Sequence, residues 1–520
     1  MDFTCIGLFF VLSTTLAIAP TAAATSALLL TPFIKLNQTA EARNRSLVTP
    51  ALFLDTTSHS GFLTVDEEYN SNTFFWYFPV INKPVPETPW IIWLQGGPGA
   101  TSLYGLFDEI GPFEYTNNVL KLREWSWSRQ HSMLFIDNPI GAGFSFTGSE
   151  QGFATNSSTY SNHLYSAVQQ FLTIFPELRS APLYIAGESY AGHYVPALAV
   201  KIKDNTDENR SINLQGIILG NPVLDREDIE NVTAVFHQWG LIDTQGALAV
   251  RPLQDAYVSA IQRGEYAQAA EFRNTLLDRL SDLSLQKQLY NILVDDYDIN
   301  EFEEYLRRED VREALHVGDV EFTADNGTAR SKLLPDFLFK LESKIEEVLE
   351  HYRVLIYCGQ LDLVAPCAPS AGARRRWRWS RRRDFLAAPR VPWSYDESVA
   401  GYVKSGGGFT EALVRGAGHL VPIDKPAQAY RLVSYFIRRL DMPLPANYKS
   451  RPDDTPDLLA VRDQPHQDHT NTGMIISIAI NVALVAALIV GVVSYIRLKR
   501  KTEAFCYNMV DNVSDDIFLT

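Results

Sequence analysis

Cysteine is scarce in this chain. There are four among 520 residues, with no Cys-x-x-Cys pair and no paired His/Cys spacing of the kind that holds a structural zinc. A disulfide-dense small scaffold and a zinc-binding module are both excluded, and no metal or cofactor site is expected. Positive charge is also in short supply. Lys and Arg number 46 against 61 Asp and Glu, a formal net charge of −15, which argues against a nucleic-acid polyanion as partner. No internal repeat is apparent, so a solenoid is not indicated. What is present is ordinary globular composition, 46% hydrophobic and 12% aromatic, with apolar material for a large core.

The two ends set the compartment. Residues 5–18 form an apolar run too short to span a bilayer, followed by Ala22, Ala23 and Ala24. That pattern predicts a secretory signal peptide over 1–24; the n-region holds Asp2 and no basic residue, which leaves an uncleaved N-terminal anchor as the alternative. Residues 474–496 carry no charge, and as a helix they measure roughly 34 Å, enough to cross a bilayer. Arg497, Lys499, Arg500 and Lys501 follow at once, which puts the C-terminus in the cytosol. The predicted order is signal peptide, folded body over 25–445, polar linker over 446–473, transmembrane helix over 474–496 and cytosolic tail over 497–520. This is a single-pass type I arrangement in the secretory pathway, ending in lysosome, vacuole, endosome or late Golgi. Six sequons in the body agree with a lumenal or extracellular placement: Asn37, Asn44, Asn156, Asn209, Asn231 and Asn326. Asn512 also matches but would be cytosolic. In the tail, Tyr507-Asn508-Met509-Val510 resembles a tyrosine-type sorting signal for an adaptor, and Asp515–Leu519 resembles an acidic hydrophobic one.

The body reads as α/β. Short apolar runs bounded by glycine occur at residues 89–94, 132–137, 183–187, 216–220, 353–359 and 411–416. Near-continuous apolar runs predict strands buried on both faces, hence a mostly parallel sheet under helices, with residues 155–178 and 426–440 as covering helices. From about 243 to 345 helical periodicity takes over, predicting a helical cap inserted before the sheet resumes.

Three loops concentrate the chemistry. Gly187-Glu188-Ser189-Tyr190-Ala191-Gly192 stands between a strand and a helix, a turn that lifts a serine hydroxyl clear of the backbone at a helix N-terminus. A simple helix N-cap is the alternative for Ser189. A serine nucleophile needs a base, and the base an orienting carboxylate. Asp362 and His419 follow the strands at 353–359 and 411–416, and parallel strands would bring all three loops to one edge. His193, His316, His466 and His469 fit the role of base less well. The third loop, Gln95-Gly96-Gly97-Pro98-Gly99, is glycine-rich, so its N–H groups can approach an oxyanion; Gly97 and Tyr190 are the candidate donors.

These motifs together resemble the serine carboxypeptidases. The match runs through Trp93-Leu94-Gln95-Gly96-Gly97-Pro98-Gly99, Gly111-Pro112-Phe113 and Ile136-Asp137-Asn138-Pro139-Ile140-Gly141-Ala142-Gly143-Phe144-Ser145. It continues through Gly187–Pro196, Gly220-Asn221-Pro222, Asp362 and Gly416-Ala417-Gly418-His419-Leu420-Val421-Pro422, in family order over roughly residues 50–440. The glutamine in the first motif resembles the vitellogenic-like branch, while the membrane anchor is similar to that of late-Golgi processing members. The resemblance implies an α/β-hydrolase fold and release of C-terminal residues from peptides and proteins through an acyl-enzyme. It implies Ser189, Asp362 and His419 as triad, and Gln95, Gly96 and Glu188 as partners of the substrate's terminal carboxylate. Glu188 beside that carboxylate is a like-charge pair, tolerable when the two share a proton, so binding should favour acidic pH. Two other functions use the same sequence: an acyltransferase, in which an alcohol outcompetes water, and a non-catalytic membrane-anchored binding domain.

Two features depart from the family. Of the cysteines, only Cys358 and Cys367 remain in the body. They flank Asp362 and would either bridge or leave Cys358 as a buried strand thiol. Residues 374–383 hold seven arginines, read as a solvated basic face or as a docking patch for acidic partners or membrane headgroups.

Overall fold

The computed structural model describes residues 26–224, 231–297, 299–337, 341–446, 448 and 491–501, without the side chains of 367–370. The signal peptide, nearly all of the linker, residues 474–490 of the predicted span and the sorting motifs lie outside the described residues. The chain divides into two units, residues 1–456 and 457–520. In the second, the described residues 491–501 are helical and exposed. Among the described residues no helix is long and apolar enough to cross a membrane.

The first unit is built on a ten-stranded sheet. Its strands are β1 (His59–Asp66), β2 (Ser71–Phe78), β3 (Trp90–Leu94), β6 (Ser132–Ile136), β7 (Leu183–Glu188), β8 (Leu214–Gly220), β9 (Arg353–Gly359), β10 (Arg390–Tyr395), β11 (Ser398–Gly406) and β12 (Phe409–Val414). A separate hairpin comprises β4 (Phe113–Thr116) and β5 (Val119–Leu122). The order is β1-β2-β6-β3-β7-β8-β9-β12-β11-β10. The six central strands, β6 to β12 in that order, pair in parallel, and antiparallel strands finish both edges.

The apolar runs form strands buried on both faces, as their composition predicts. In β3, Trp90, Ile92 and Leu94 enter one core cluster while Ile91 and Trp93 enter the other. In β9, Val354, Ile356 and Cys358 take the first face, and Leu355 and Tyr357 the second. Helices α1 (Ser157–Ile174), α2 (Ala191–Lys203) and α5 (Glu342–His351) cover the first face, and α6 (Pro426–Arg438) covers the second. The expected strand at 411–416 begins two residues earlier, at Phe409, and ends at Val414.

Between β8 and β9 the described residues form helices and no strand. Helices α3 (Thr244–Arg263) and α4 (Tyr266–Ser284) dominate. Their apolar faces build a third cluster with Val250, Tyr257, Ile261, Leu276 and Leu280, and this cluster takes in Leu363 and Ala365. The helical segment therefore rests on the loop that carries Asp362.

Candidate active site

Ser189, Asp362 and His419 each follow the C-terminal end of a parallel strand, β7, β9 and β12. β9 neighbours β12 and is separated from β7 by β8 alone. Ser189 adopts a left-handed backbone, φ +58°, which costs a non-glycine residue on the order of 1–3 kcal/mol. Hydrogen bonds on both sides hold it there: its N–H donates to Gly220 O (3.0 Å), and its carbonyl accepts from Gly192 N and Val223 N (3.0 Å each). Two glycines make room for the turn. A Cβ at Gly187 would sit 2.6 Å from both Ala191 Cβ and Leu94 O, so the bare α-carbon at 187 is what admits alanine at 191. A Cβ at Gly96 would fall 2.7 Å from Ser189 Cβ and 2.8 Å from Tyr190 N. The glycine-rich loop thus lies directly against the serine and the N–H that follows it.

The acid and the imidazole meet. His419 Nδ1 is 2.7 Å from Asp362 Oδ2, with both side chains buried. Asp362 is fully supplied with donors. Oδ1 accepts from the N–H groups of Val364 (2.7 Å) and Ala365 (3.2 Å), and Oδ2 also accepts from Asn221 Nδ2 (2.7 Å). Asn221 Oδ1 in turn accepts from Gly359 N (3.1 Å), so the end of β8 clamps the end of β9. The loop after α4 closes over this pair. His419 N donates to Tyr290 O (2.6 Å), Leu363 N to Leu289 O (3.0 Å) and Ile292 N to Leu361 O (3.2 Å). The Tyr290 ring stacks on the imidazole at 5.2 Å and 14°.

Gln95 sits beside a second buried carboxyl site. The Trp93 indole N–H, which can only donate, points to Gln95 Oε1 (2.8 Å) and so turns the amide nitrogen the other way. That nitrogen donates to Glu109 Oε1 (3.1 Å) and Glu188 Oε1 (3.2 Å). Both carboxyls are buried, and among the described residues no N–H or O–H of another residue reaches the second oxygen of either. Burial pushes the Glu188 carboxyl well above the usual range, and the charge of Glu109 raises it further. Burial also raises Glu109, against hydrogen bonds from Glu188 and Gln95 that pull it back. A proton shared between the two carboxyls satisfies both observations. Beneath the glycine-rich loop, Asp137 accepts from Thr101 Oγ1 (2.5 Å), Ser102 N (2.9 Å) and Phe144 N (2.9 Å). Ser102 Oγ accepts from Gln95 N (3.1 Å) and donates to Ile136 O (2.5 Å). The motif at 136–145 is therefore the brace under Gln95.

One cavity of about 240 Å³ unites these parts. Gln95, Gly96, Gly97, Glu109, Glu188, Ser189, Tyr290 and His419 all line it. Tyr190 is held from behind, its ring between His193 (4.5 Å, 8°) and Phe337 (5.6 Å, 1°) and its hydroxyl donating to Asp336 Oδ2 (2.9 Å). Such an arrangement can activate a serine hydroxyl, hold an oxyanion near the N–H of Tyr190, and hydrogen-bond a carboxylate in the same cavity.

Sequence reasoning missed Glu109, Asn221 and Tyr290. Glu109 ends a five-residue π-helical turn, Gly105–Glu109, inside an apolar stretch where an acid is out of place; that was its signal. Asn221 was visible as part of a motif without a role, and Tyr290 lies in a segment with no motif. His193 is buried and His316 half-buried, and neither lines the cavity. Cys358 is disulfide-bonded, not a free strand thiol; the side chain of Cys367, its candidate partner, lies outside the described residues. Among the described residues no group of three or more His, Cys, Asp or Glu is arranged to hold a metal ion.

Comparison with known proteins agrees with this geometry. Residues 49–439 match the family described as serine carboxypeptidase. The venom serine carboxypeptidase of Apis mellifera is 38% identical over 424 residues, covering 79% of this chain and 90% of that protein. The probable serine carboxypeptidase CPVL of Homo sapiens is 37% identical over 450 residues, covering 83% and 94%. Among solved structures, the fold is similar to that of Kex1ΔP, a prohormone-processing carboxypeptidase from Saccharomyces cerevisiae. The TM-score is 0.66 at 22% identity, covering 76% of this chain and 96% of the other.

Proposed function

The chain belongs to the serine carboxypeptidase family, and on that premise we propose that it removes C-terminal residues from peptides and proteins by way of an acyl-enzyme. The observation that carries the proposal is the buried Gln95–Glu109–Glu188 group lining the same cavity as Ser189 and His419. A substrate's terminal carboxylate hydrogen-bonds to the Gln95 amide and to the proton held between Glu109 and Glu188, with Gly96 assisting. The adjacent peptide carbonyl then faces Ser189. His419, oriented through Nδ1 by Asp362, takes the Ser189 proton as Oγ attacks and returns it to the departing amine. The N–H groups of Gly97 and Tyr190 stabilise the oxyanion. Water, activated by the same imidazole, then hydrolyses the acyl-serine.

The test uses an N-blocked dipeptide and its C-terminal amide. The free acid should be cleaved far better at acidic pH, and equal cleavage of both compounds would remove the carboxylate-binding role.

We further propose the topology read from the ends: signal peptide over 1–24, lumenal or extracellular body, span over 474–496 and adaptor-binding tail at Tyr507–Val510. Asn37, Asn44, Asn156, Asn209 and Asn231 are exposed and open to glycosylation. Asn156 and Asn326 each cap a helix through Oδ1, accepting from Thr159 N (3.0 Å) and Ala329 N (2.9 Å), but Asn326 is also half-buried, with its Nδ2 donating to Gly141 O (2.9 Å). In sealed microsomes added protease should remove the tail and leave the body intact, and a protected tail would overturn the orientation.

A further inference from the structure

The arginine run lies outside this chemistry and has its own architecture. Residues 374–383 contain seven arginines and no lysine, in a chain whose net charge is −15. The fold sorts them by direction. Trp377 and Trp379 are 0% and 6% exposed and pack on Phe409 at 5.7 and 6.2 Å, and the Trp379 indole donates to Gly407 O (2.9 Å). Arg374 is buried, its Nε 2.6 Å from Glu411 Oε1. Arg375, Arg376, Arg378, Arg381 and Arg383 are exposed. The backbone between them is pinned: Arg378 N donates to Glu346 Oε1 (2.5 Å) and Ser380 N to Glu350 Oε1 (2.7 Å). The Arg382 guanidinium holds Arg375 O at 2.8 and 3.0 Å.

The result is a rigid basic strip whose apolar side chains all turn inward. A segment that inserts into a bilayer surface needs its tryptophans facing out, beside the charges. Here both are in the core, so the strip suits a partner that stays in water. Guanidinium forks pair two-pronged with sulfate and phosphate oxygens, which favours arginine over lysine in a polyanion site. Outside the cytosol, the polyanion of that chemistry is a sulfated polysaccharide. We propose that the exposed face of residues 375–383 binds sulfated glycan chains. This goes beyond the peptidase reading and relies only on the lumenal or extracellular placement of the body.

The test is chromatography of the purified full chain, in detergent, on immobilised heparin at pH 7 and about 0.15 M NaCl. An acidic protein of this net charge should otherwise flow through. Retention is expected, with release in a salt gradient and competition by heparin but not by desulfated heparin. The variant R375S/R378S/R381S/R383S should flow through with an unchanged melting temperature. If it does not fold, R378S and R383S singly should each elute at lower salt than the parent. Flow-through of the parent chain, unchanged elution of the variants, or equal competition by the desulfated polymer overturns the proposal. So does sedimentation with phosphatidylserine vesicles by a chain that heparin does not retain. Dipeptide hydrolysis by the same preparations reports separately on the peptidase reading.

Discussion

Two buried carboxyl sites serve one cavity, Glu109 and Glu188 lining it and Asp362 reaching it through His419, and the fold treats them in opposite ways. Asp362 receives hydrogen bonds on both oxygens, from two backbone N–H groups, an asparagine amide and an imidazole. Glu109 and Glu188 share a single amide donor and otherwise face each other, each with an oxygen that no other described residue supplies. A carboxyl satisfied at every position is held in one orientation, suited to orienting a base in turn. A pair starved of donors keeps a proton and is left one partner short, which is the state that accepts a third carboxylate. On the proposed mechanism, the same functional group at the same depth is part of the machinery in one case and a receptor in the other.

The widest test of this contrast is Ser189→Ala. Hydrolysis should fall by about four orders of magnitude or more, while binding of a blocked dipeptide persists, because the carboxylate site is untouched. Inhibition of the wild-type enzyme by the product amino acid, compared with direct titration of the variant, separates the two. Asp362→Asn should come next, with a loss of about 10⁴-fold in kcat from the wrong imidazole tautomer and little change in KM.

The matched substitution on the other side, Glu188→Gln, should act mainly on KM and its pH dependence. In the wild type, raising pH through the apparent pKa of the Glu109–Glu188 pair removes the shared proton and adds a repelling charge. Steady-state assays should show KM rising by about tenfold per pH unit above that point. In Glu188→Gln the amide donates at every pH and the site can no longer gain a second negative charge, so the rise should be lost and KM should stay nearly flat with pH; Glu109→Gln should do the same. An unchanged profile in both variants breaks the comparison. The smallest effect belongs to Asn221→Ala. Removing a donor to Asp362 and an acceptor from Gly359 should lower stability by about 1–3 kcal/mol, measured by denaturant unfolding, and reduce kcat with KM unchanged.

How much of this was legible depends on the range of the signal. Ser189, Asp362 and His419 could be read because each is tied to a local pattern, an apolar strand followed by a glycine-marked loop, and parallel pairing carries strand ends to one edge. The loop Gln95–Gly99 could be read for the same reason. Glu109 could not be paired with Glu188 from the sequence, since their meeting depends on a π-helical turn packed under Gln95. Tyr290 was equally hidden: it reaches His419 only because the segment after α4 folds back between the loops of Asp362 and His419. In the arginine run, composition announced the charge, but the inward turn of Trp377 and Trp379 and the burial of Arg374 arise from packing against Phe409 and Glu411.

By itself the sequence determined the α/β class, the strand runs, the three chemical loops and the hydrophobic ends, because periodicity, turn residues and chain order are local properties. Tertiary structure alone decided which buried acids are filled with donors and which are left wanting. Hydrogen-bond satisfaction and proton affinity depend on groups brought together in space from distant parts of the chain, and no stretch of neighbouring residues encodes them.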